Sequence, residues 1–257
     1  MRSYTLRKVL LFLSFALIAF QACRKDDAGS LAPPPIADQS FVEEFDTVTS
    51  AYDRGWRFIN ASSPKGTGFW NQGLFNNPTV TGFDAPIPFN AYSSKGSYVG
   101  FIGADFTSTS ATAGIISTWV ISPVTTMQNG DKIVFYTRAV VLDIGGGDST
   151  DYGNRLQVRV SSNGASTNVG NGNSPGDFVN NVLDINPDYP NHNAFTSPST
   201  YDPLAYPTRW TRFEGVIGGL NGPVTGRFAF RYYVNDGGSN GYGTAVAIDS
   251  VAFVGKK

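Results

Sequence analysis

The chain has 257 residues, of which 41% are hydrophobic and 14% aromatic, and its formal net charge is −1. This weakly acidic composition, without clustered lysine and arginine, argues against nucleic acid as a partner. The single cysteine, Cys23, excludes an internal disulfide or a cysteine-based metal site, so the stability of the fold must come from a hydrophobic core.

Residues 1–22 have the pattern of a secretory signal peptide. Three cations precede an apolar run over 9–20, and these twelve residues are too few for a transmembrane helix, which needs ~20. Ala22 then precedes Cys23, which resembles the bacterial lipobox, where cysteine is acylated and becomes the new N-terminus, although Phe20 replaces the usual leucine-like residue. We therefore predict lipidation at Cys23, and a plain signal peptide cut near a cysteine is the alternative.

A polar linker follows over residues 23–40. Its charged start, Arg-Lys-Asp-Asp, resembles the export signal of surface-exposed lipoproteins in some Gram-negative bacteria, and a merely solvated tether is the alternative. Three consecutive prolines at 33–35 favour an extended, semi-rigid spacer. Without residues 1–22, 16 cations face 20 acids, which gives a net charge of −4. We predict a lipid anchor in the outer membrane that displays the protein at the cell surface.

Residues 41–255 show a pattern of strands and turns, without convincing helical periodicity. The clearest strand covers residues 155–160, where leucine and valine alternate with arginine and glutamine. Further strands are predicted in GWRFIN, SYVGFIG, GIISTWVISP, DKIVFYTRAVV, GRFAFRYYVND and TAVAIDSVAFVG. This pattern indicates a single all-β domain, an antiparallel sandwich. Two irregular stretches, roughly 61–95 and 163–208, are predicted to be loops that carry function or cover a sheet face.

Ten short blocks follow one another along this domain. They are FVEEFDT, GWRFIN, YVGF, ISTWVISP, GDKIVFYTR, NRLQVRVSSNGAS, FVNNVLDINP, YPTRWTRFEGVI, GRFAFRYYVNDGG and AIDSVAFVG. Their order resembles the bacterial choice-of-anchor J domain, which is related to cleaved-adhesin and MAM-like jelly rolls, over residues 41–254. The resemblance implies a jelly-roll β-sandwich with no defined catalytic activity and with a surface anchor, here the N-terminal lipid.

The chain offers little for catalysis. His192 is the only histidine and lies in a polar loop, and the sequence has no G-x-S-x-G element. The three glutamates, Glu43, Glu44 and Glu214, do not form the spaced acidic motif of a jelly-roll glycosidase. We predict that the chain is not an enzyme, and a hydrolase with an aspartate-based site is the least favoured alternative.

Calcium is a candidate cofactor, because related jelly rolls often hold a structural Ca²⁺ between the first and last strands. Glu44 and Asp46 flank Phe45, so a strand period of two places both carboxylates on one face while Phe45 enters the core. Asp249 lies in an apolar strand and needs a partner, which could be calcium, backbone or arginine donors, or solvent. A second calcium candidate consists of Asp143, Asp148 and Asp151. The spacing of these residues favours a solvated hairpin loop over a calcium-binding loop.

Aromatic residues divide into core and ligand candidates. Trp56 and Trp119 lie in strand patterns and are predicted to be buried, whereas Trp70 is predicted to pack over one end of the sandwich. Rings in or beside the second loop are the candidates for stacking on a sugar, with polar neighbours to read its hydroxyls. These residues are Tyr189, Tyr201, Tyr206 and Trp210, with Asn191, Asn193 and Asp202. The alternative is that the rings only anchor the loop.

These features predict a lipid-anchored, cell-surface binding module that acts in adhesion or carbohydrate binding. Its partners would be the membrane, through the lipid, and a glycan or a surface protein. The alternative function is a structural surface protein that works through protein–protein contacts.

Overall fold

A computed structural model of the chain describes residues 36–73, 89–97, 99–145, 148–196 and 200–256. The predicted signal peptide and the lipidation site Cys23 lie outside these residues and stay predictions. Every described strand belongs to one compact unit, residues 38–257. None of the described helices is long and apolar enough to span a membrane.

The domain consists mostly of strands. They are β1 (Phe41–Glu43), β2 (Arg57–Asn60), β3 (Asn71–Gln72), β4 (Ile102–Asp105), β5 (Gly114–Ile121), β6 (Thr125–Met127), β7 (Lys132–Ala139), β8 (Leu142–Gly145), β9 (Asp148–Thr150), β10 (Leu156–Ser161), β11 (Asn180–Ile185), β12 (Phe195–Thr196), β13 (Thr200–Tyr201), β14 (Thr211–Val216), β15 (Val224–Gly237) and β16 (Ala245–Val254). The helical elements in the described ranges are α1 (Val48–Asp53) and a 3₁₀ turn, Phe106–Ser108.

Two antiparallel sheets pack face to face. The first sheet has the order β14-β7-β16-β4-β3, with β1 also paired to β16. The second sheet has the order β11-β10-β15-β5-β2, with β6 also paired to β15. Strands that are neighbours in sequence repeatedly alternate between the sheets, and the predicted strand blocks correspond to β2, β4, β5, β7, β10, β15 and β16. The predicted fold class, an all-β antiparallel jelly-roll sandwich, is confirmed.

The core lies between the sheets and is rich in aromatic rings. On β10 the three apolar residues of the alternating pattern, Leu156, Val158 and Val160, are buried as predicted. Phe228 and Phe230 of the neighbouring strand β15 are also fully buried and pack edge to face, with ring centroids 6.0 Å apart. Each buried side chain of this size contributes roughly 1.5–3 kcal/mol, so this interior can stabilise the fold without a disulfide.

The three tryptophans with predicted positions are all buried. Trp56 packs in the central core, where its ring lies 5.0 Å from that of Phe45. Trp119 lies on the outer face of the second sheet, under the loop that follows β10. Trp70 belongs to the central core rather than to one end of the sandwich, and its indole N–H donates to the carbonyl oxygen of Thr118 at 3.1 Å.

A buried arginine marks the outer face of the second sheet. The guanidinium of Arg231 donates to Ser117 Oγ at 3.0 Å and to the carbonyl oxygen of Gly172 at 2.5 Å. Its Cζ atom lies 3.7 Å from the ring centroid of Tyr233 and 4.9 Å from that of Trp119. Burial lowers the pKa of Arg231 to about 9. This face looks polar in the sequence, yet the loop that follows β10 covers it.

Several elements depart from the sequence-based expectations: the short strands β3, β12 and β13 lie inside the two predicted loops, and helix α1 and strand β11 are the larger differences. Helix α1 was not predicted, because six residues are too few to show helical periodicity; Thr47 caps it by accepting a hydrogen bond from Ser50 N–H at 3.3 Å. Strand β11 lies inside the stretch that was predicted to be a loop, so that prediction is wrong there. Asn180 and Asn181 hide this strand because asparagine is rare in strands, but pairing with β10 forms it.

A carboxylate fixes β11 to the second sheet. Asp184 accepts two hydrogen bonds from the guanidinium of Arg155, at 2.8 and 2.7 Å, and one from the amide of Gln157 at 2.8 Å. The Asn181 amide adds a fourth hydrogen bond at 3.1 Å. These donors outweigh partial burial and lower the pKa of Asp184.

The edge strands β11 and β14 lie beside each other, one from each sheet. The Asn180 side-chain amide donates to the carbonyl oxygen of Gly218 at 2.9 Å. At Gly215 a Cβ atom would lie 3.3 Å from Val182 Cγ2, so the absence of a side chain permits the close approach. This side of the sandwich is therefore closed.

The ends of the sandwich are called proximal and distal here. At the proximal end Gly255 N–H donates to Ser40 Oγ at 2.9 Å, so the start and the end of the domain meet. At the distal end Thr244 N–H, just before β16, donates to Asn154 Oδ1 at 3.1 Å. The ten residues of β16 separate the two ends by roughly 30 Å, at a rise of ~3.3 Å per residue.

Candidate functional site

The described residues of the segment 186–206, called the distal loop, pack over the distal end of the sandwich; they are 186–196 and 200–206. Asn186 begins the loop with a positive φ of 52°, and its side-chain amide donates to the carbonyl oxygens of Asn154 and His192, both at 3.0 Å. The buried carboxylate of Asp151 accepts from Ala194 N–H at 2.8 Å. Asp151 therefore supports the loop backbone, rather than lying in the solvated hairpin loop favoured from the sequence.

Two of the predicted ligand residues are internal anchors of this loop. The buried Tyr189 hydroxyl donates to the carbonyl oxygen of Asn235 and accepts from its N–H, both at 2.9 Å. Tyr206 is fully buried, and its hydroxyl shares a hydrogen bond with Thr137 Oγ1 at 2.5 Å. Burial raises the pKa of both phenols. The rings are out of reach of a ligand, so the anchoring alternative describes them.

Other predicted residues remain at the surface. Tyr201, on the short strand β13 paired to β12, exposes 51% of its surface, and the nearby Leu204 exposes 66%. Asn191 is exposed, and Asp202 is partly exposed. The distal loop therefore keeps one of its three predicted tyrosines available to a ligand, with polar groups next to it in sequence and apolar surface close by.

His192 holds these polar groups together. Its Nδ1 lies 2.8 Å from Asp202 Oδ2, and its Nε2 lies 3.8 Å from Asp188 Oδ2. The Asn191 amide donates to Asp188 Oδ1 at 2.9 Å, and Leu204 N–H donates to Asp202 Oδ1 at 2.8 Å. The hydrogen bond from His192 lowers the pKa of Asp202. In the described contacts His192 thus lies between two carboxylates, an arrangement called the His192 clamp below. The sequence did not predict it, because no local pattern indicates that His192 contacts Asp202, ten residues away.

Trp210 packs just after the distal loop. Its indole N–H donates to the carbonyl oxygen of Asn90 at 2.7 Å. Its ring packs edge to face on Phe89 and Phe101, with both centroid distances at 5.7 Å. Partial exposure leaves some of the indole accessible, so Trp210 stays a ligand candidate.

The predicted calcium residues converge near one turn, residues 92–94. Asp46 accepts from Ser94 Oγ at 2.9 Å, and Asp249 accepts from Tyr92 N–H at 2.7 Å and from Ser93 N–H at 3.0 Å. Asp249 is fully buried, and burial raises its pKa to about 6. Its partners are backbone and hydroxyl donors, one of the alternatives left open, so its burial does not require a cation. Calcium binding stays a prediction.

Neighbouring glutamates have different roles. Glu43, not singled out as a site residue, is buried and forms a two-point ion pair with Arg54, at 2.7 and 2.5 Å. The buried Oε2 atom of Glu44 has no hydrogen-bond partner within the described ranges. Phe45 is buried as predicted, but β1 ends at Glu43 and Phe45 has a positive φ of 53°, so the expected strand alignment of Glu44 with Asp46 is wrong. Across these ranges, no group of three or more His, Cys, Asp or Glu residues is placed to hold a metal ion.

Comparisons with known proteins give distant similarities. No family model matches the chain, and no curated protein does. The K1 cleaved adhesin domain of Lys-gingipain from Porphyromonas gingivalis W83 is 14% identical, with 85% of this chain and 99% of that chain covered and a TM-score of 0.45. The K2 cleaved adhesin domain of Lys-gingipain is 16% identical, with coverages of 85% and 99% and a TM-score of 0.46.

A carbohydrate-binding module is a more distant neighbour. The family 11 module from Clostridium thermocellum, solved in complex with a β-1,3-1,4-mixed-linked tetrasaccharide, is 10% identical. The match covers 87% of this chain and 92% of that chain, with a TM-score of 0.29. At these values none of the similarities indicates what the present chain binds.

Proposed function

We propose that the chain is a lipid-anchored, non-catalytic module of the cell surface that binds carbohydrate at its distal end. The exposed ring of Tyr201 beside the His192 clamp carries this proposal. Aromatic rings stack on the apolar faces of pyranoses; carboxylates accept hydrogen bonds from the hydroxyls, and amides both accept from them and donate to them. Tyr201 would supply the stacking surface, and Asp202 and Asn191 the polar contacts.

Preorganisation supports a binding role for these polar groups. Asp202 is held by His192 and by Leu204 N–H, and the loop beneath it is anchored by the buried Tyr189 and Tyr206. Side chains that are already ordered lose less conformational entropy when a ligand binds. Each of these contacts therefore favours affinity as well as loop stability.

The positions of the two ends also support display at a surface. The domain begins at its proximal end, where Ser40 meets Gly255, and the distal loop lies at the opposite end. A tether that enters at Ser40 would leave the distal loop pointing away from its attachment point. Several acyl chains on Cys23 would hold this tether, since each buried CH₂ contributes ~0.8 kcal/mol.

A glycan array tests the binding proposal. Wild type and Tyr201→Ala are compared at equal concentration, and Tyr52→Ala is the matched control, because Tyr52 on α1 is 40% exposed but lies away from the distal loop. We expect Tyr201→Ala to lose the glycan signal and Tyr52→Ala to keep it. Absence of any glycan bound by wild type, or an equal loss in both variants, would refute the proposal.

The anchor is tested separately in cells. Cys23→Ala should move the protein from the membrane fraction to the soluble fraction, and mass spectrometry of the wild type should show an acylated N-terminal cysteine. A free thiol on a released wild-type protein would contradict the anchor without bearing on the distal site.

A protein–protein role is the second candidate. Leu204, which exposes 66% of its surface, favours it, because exposed apolar side chains in a loop suit a protein interface. In this case wild type would bind no glycan, and Leu204→Ser would abolish capture of a surface protein that Tyr201→Ala still captures.

A further inference from the structure

Two arginines lie together at the distal end, beside the aromatic residues that hold Trp210. We call this set the arginine–aromatic cluster, and its members are Phe89, Phe101, Arg138, Arg209 and Trp210. Arg138 is on β7, and the segment before β14 runs alongside it, since Ala139 N–H donates to the carbonyl oxygen of Pro207 at 2.7 Å and Thr211 pairs with Thr137. This pairing places Arg209 and Trp210 next to Arg138.

Arg138 is held by an aromatic ring rather than by an acid. Its Cζ atom lies 3.8 Å from the ring centroid of Phe89, so the guanidinium stacks on that ring. Its one hydrogen bond to a described residue runs from Nε to the carbonyl oxygen of Ala139 and is long, at 3.5 Å. Within the described part of the chain, its two terminal nitrogens have no hydrogen-bond acceptor and no carboxylate.

Other buried or half-buried arginines are paired differently. Arg155 donates to the Asp184 carboxylate, and Arg159 donates to the carbonyl oxygen of Phe178 at 2.7 Å. Arg231 and Arg227 likewise donate to carbonyl oxygens. Arg138 differs from these four arginines because, among the described residues, neither of its terminal nitrogens has an acceptor.

Among the described residues, the charge that lies near Arg138 is a second positive one. Arg209 is exposed, and it lies close enough that its charge, together with burial, lowers the pKa of Arg138 to about 10. Two neighbouring guanidinium groups attract an anion, and no described residue places a carboxylate between them. Planar guanidinium groups bind carboxylates and sulfates through two parallel hydrogen bonds.

We propose that the arginine–aromatic cluster is a subsite for the negatively charged group, carboxylate or sulfate, of an acidic sugar. Arg138 and Arg209 would bind the anionic group, and the partly exposed Trp210 would contact the sugar ring beside it. Edge-to-face packing on Phe89 and Phe101 fixes the orientation of this indole before a ligand arrives. This inference rests on the proposed carbohydrate binding and names the class of glycan.

The position of the cluster fits one continuous binding surface. The chain passes directly from the distal loop, which ends at Tyr206, to Arg209 and Trp210. An oligosaccharide could therefore contact Tyr201 with one residue and the cluster with another. A domain with a net charge of −4 without residues 1–22 would otherwise repel acidic glycans, so local cations are required for such binding.

Calorimetry with three hexasaccharides tests the inference: an oligogalacturonide for carboxylate, a heparin fragment for sulfate, and cellohexaose as the neutral probe. The variant is Arg209→Gln, which removes an exposed charge. Arg212→Gln is the matched control, because Arg212 is exposed on the adjoining strand and pairs with Glu214 at 2.8 Å. Arg138→Met is a second variant that keeps an unbranched apolar stem over Phe89.

Wild type should bind at least one acidic probe more tightly than cellohexaose. Arg209→Gln and Arg138→Met should weaken that binding about tenfold, which corresponds to ~1.4 kcal/mol, and Arg212→Gln should change it less than about twofold. Melting temperatures of Arg209→Gln and wild type should agree. If the Arg138→Met variant does not fold, the affinity of Arg209→Gln for the acidic probe alone decides whether the subsite exists.

Three results would overturn the inference. Equal or tighter binding of cellohexaose would remove the acidic subsite while leaving the proposed carbohydrate binding intact. Equal losses in Arg209→Gln and Arg212→Gln would indicate general charge attraction without a subsite. Absence of binding to all three probes, together with a blank glycan array, would remove the proposed function and the inference together.

Discussion

The buried carboxylate of Asp249 should make the stability of the domain depend on pH in a direction opposite to that of a paired surface acid. Asp249 is fully buried, and its pKa rises from 3.8 to about 6 because burial disfavours the charged form more than its hydrogen-bond donors favour it. The folded state then binds a proton more tightly than the unfolded state, so folding is stabilised as the pH falls through 6.

The size of the effect follows from the two pKa values. A shift from 3.8 to about 6 corresponds to ~3 kcal/mol between the fully charged and the fully protonated limits, at 1.36 kcal/mol per unit. Between pH 7.5 and pH 5 the free energy of unfolding should gain about 1.4 kcal/mol of this total, because pH 5 lies only about one unit below the folded pKa. The remainder is gained at lower pH, until the carboxyl of the unfolded chain is also protonated near pH 4. Asp249→Asn cannot titrate and should lack this gain.

Urea unfolding of wild type and Asp249→Asn, followed by tryptophan fluorescence from pH 8 to pH 4.5 in the presence of EDTA, measures this difference. The free energy of unfolding of wild type, minus that of the variant, should increase by about 1.4 kcal/mol from pH 7.5 to pH 5. Acids common to both proteins cancel in the difference.

A second variant sharpens this test. Ser93 Oγ donates to both oxygens of Asp249, at 3.0 and 3.1 Å, and thereby stabilises the charged form. Ser93→Ala should move the midpoint of the pH-dependent gain to higher pH. Parallel pH profiles for wild type and Asp249→Asn, or a gain on the alkaline side, would refute the assignment of a raised pKa to this carboxylate.

Three further predictions concern stability. Asp184→Asn should lower the free energy of unfolding by about 2 kcal/mol at pH 7, because it leaves Arg155 without its carboxylate. Amide hydrogen exchange should show faster opening of β11. Unchanged exchange in β11 would contradict the role of Asp184. Tyr206→Phe should cost about 1 kcal/mol in urea unfolding because the buried Thr137 hydroxyl loses a partner, whereas Tyr201→Phe should cost almost nothing; equal costs would contradict the anchor assignment. If the three predicted carboxylates hold calcium, Ca²⁺ should raise the melting temperature and EDTA should lower it, and identical melting in both buffers would exclude a structural calcium site.

The sequence predicted the inner faces of the strands well and their outer faces poorly. Alternation along β10 places Leu156, Val158 and Val160 in the core, since a period of two is a local property of the chain. Whether the opposite face meets solvent depends on a loop that returns over the sheet. The burial of Arg231 beneath Gly172, which lies 59 residues away in sequence, cannot be seen in either segment alone.

The candidate site shows the same limit. Tyr189, Tyr201 and Tyr206 occur in similar proline- and asparagine-rich surroundings, yet the first and last are buried and the second is exposed. The two buried positions depend on partners outside the loop, Asn235 for Tyr189 and Thr137 for Tyr206. Composition therefore singled out a loop as a candidate site but could not predict which of its rings are exposed.

The closed side of the sandwich has a consequence for the behaviour of the domain at high local concentration. Edge strands with free backbone groups can add strands from neighbouring molecules, and two-dimensional crowding increases that risk. Here β11 and β14 shield one another, through the Asn180 amide on Gly218 and the close approach at Gly215. Domains at high local concentration, as the proposed anchor would produce, should thus be protected at this side against β-sheet polymerisation.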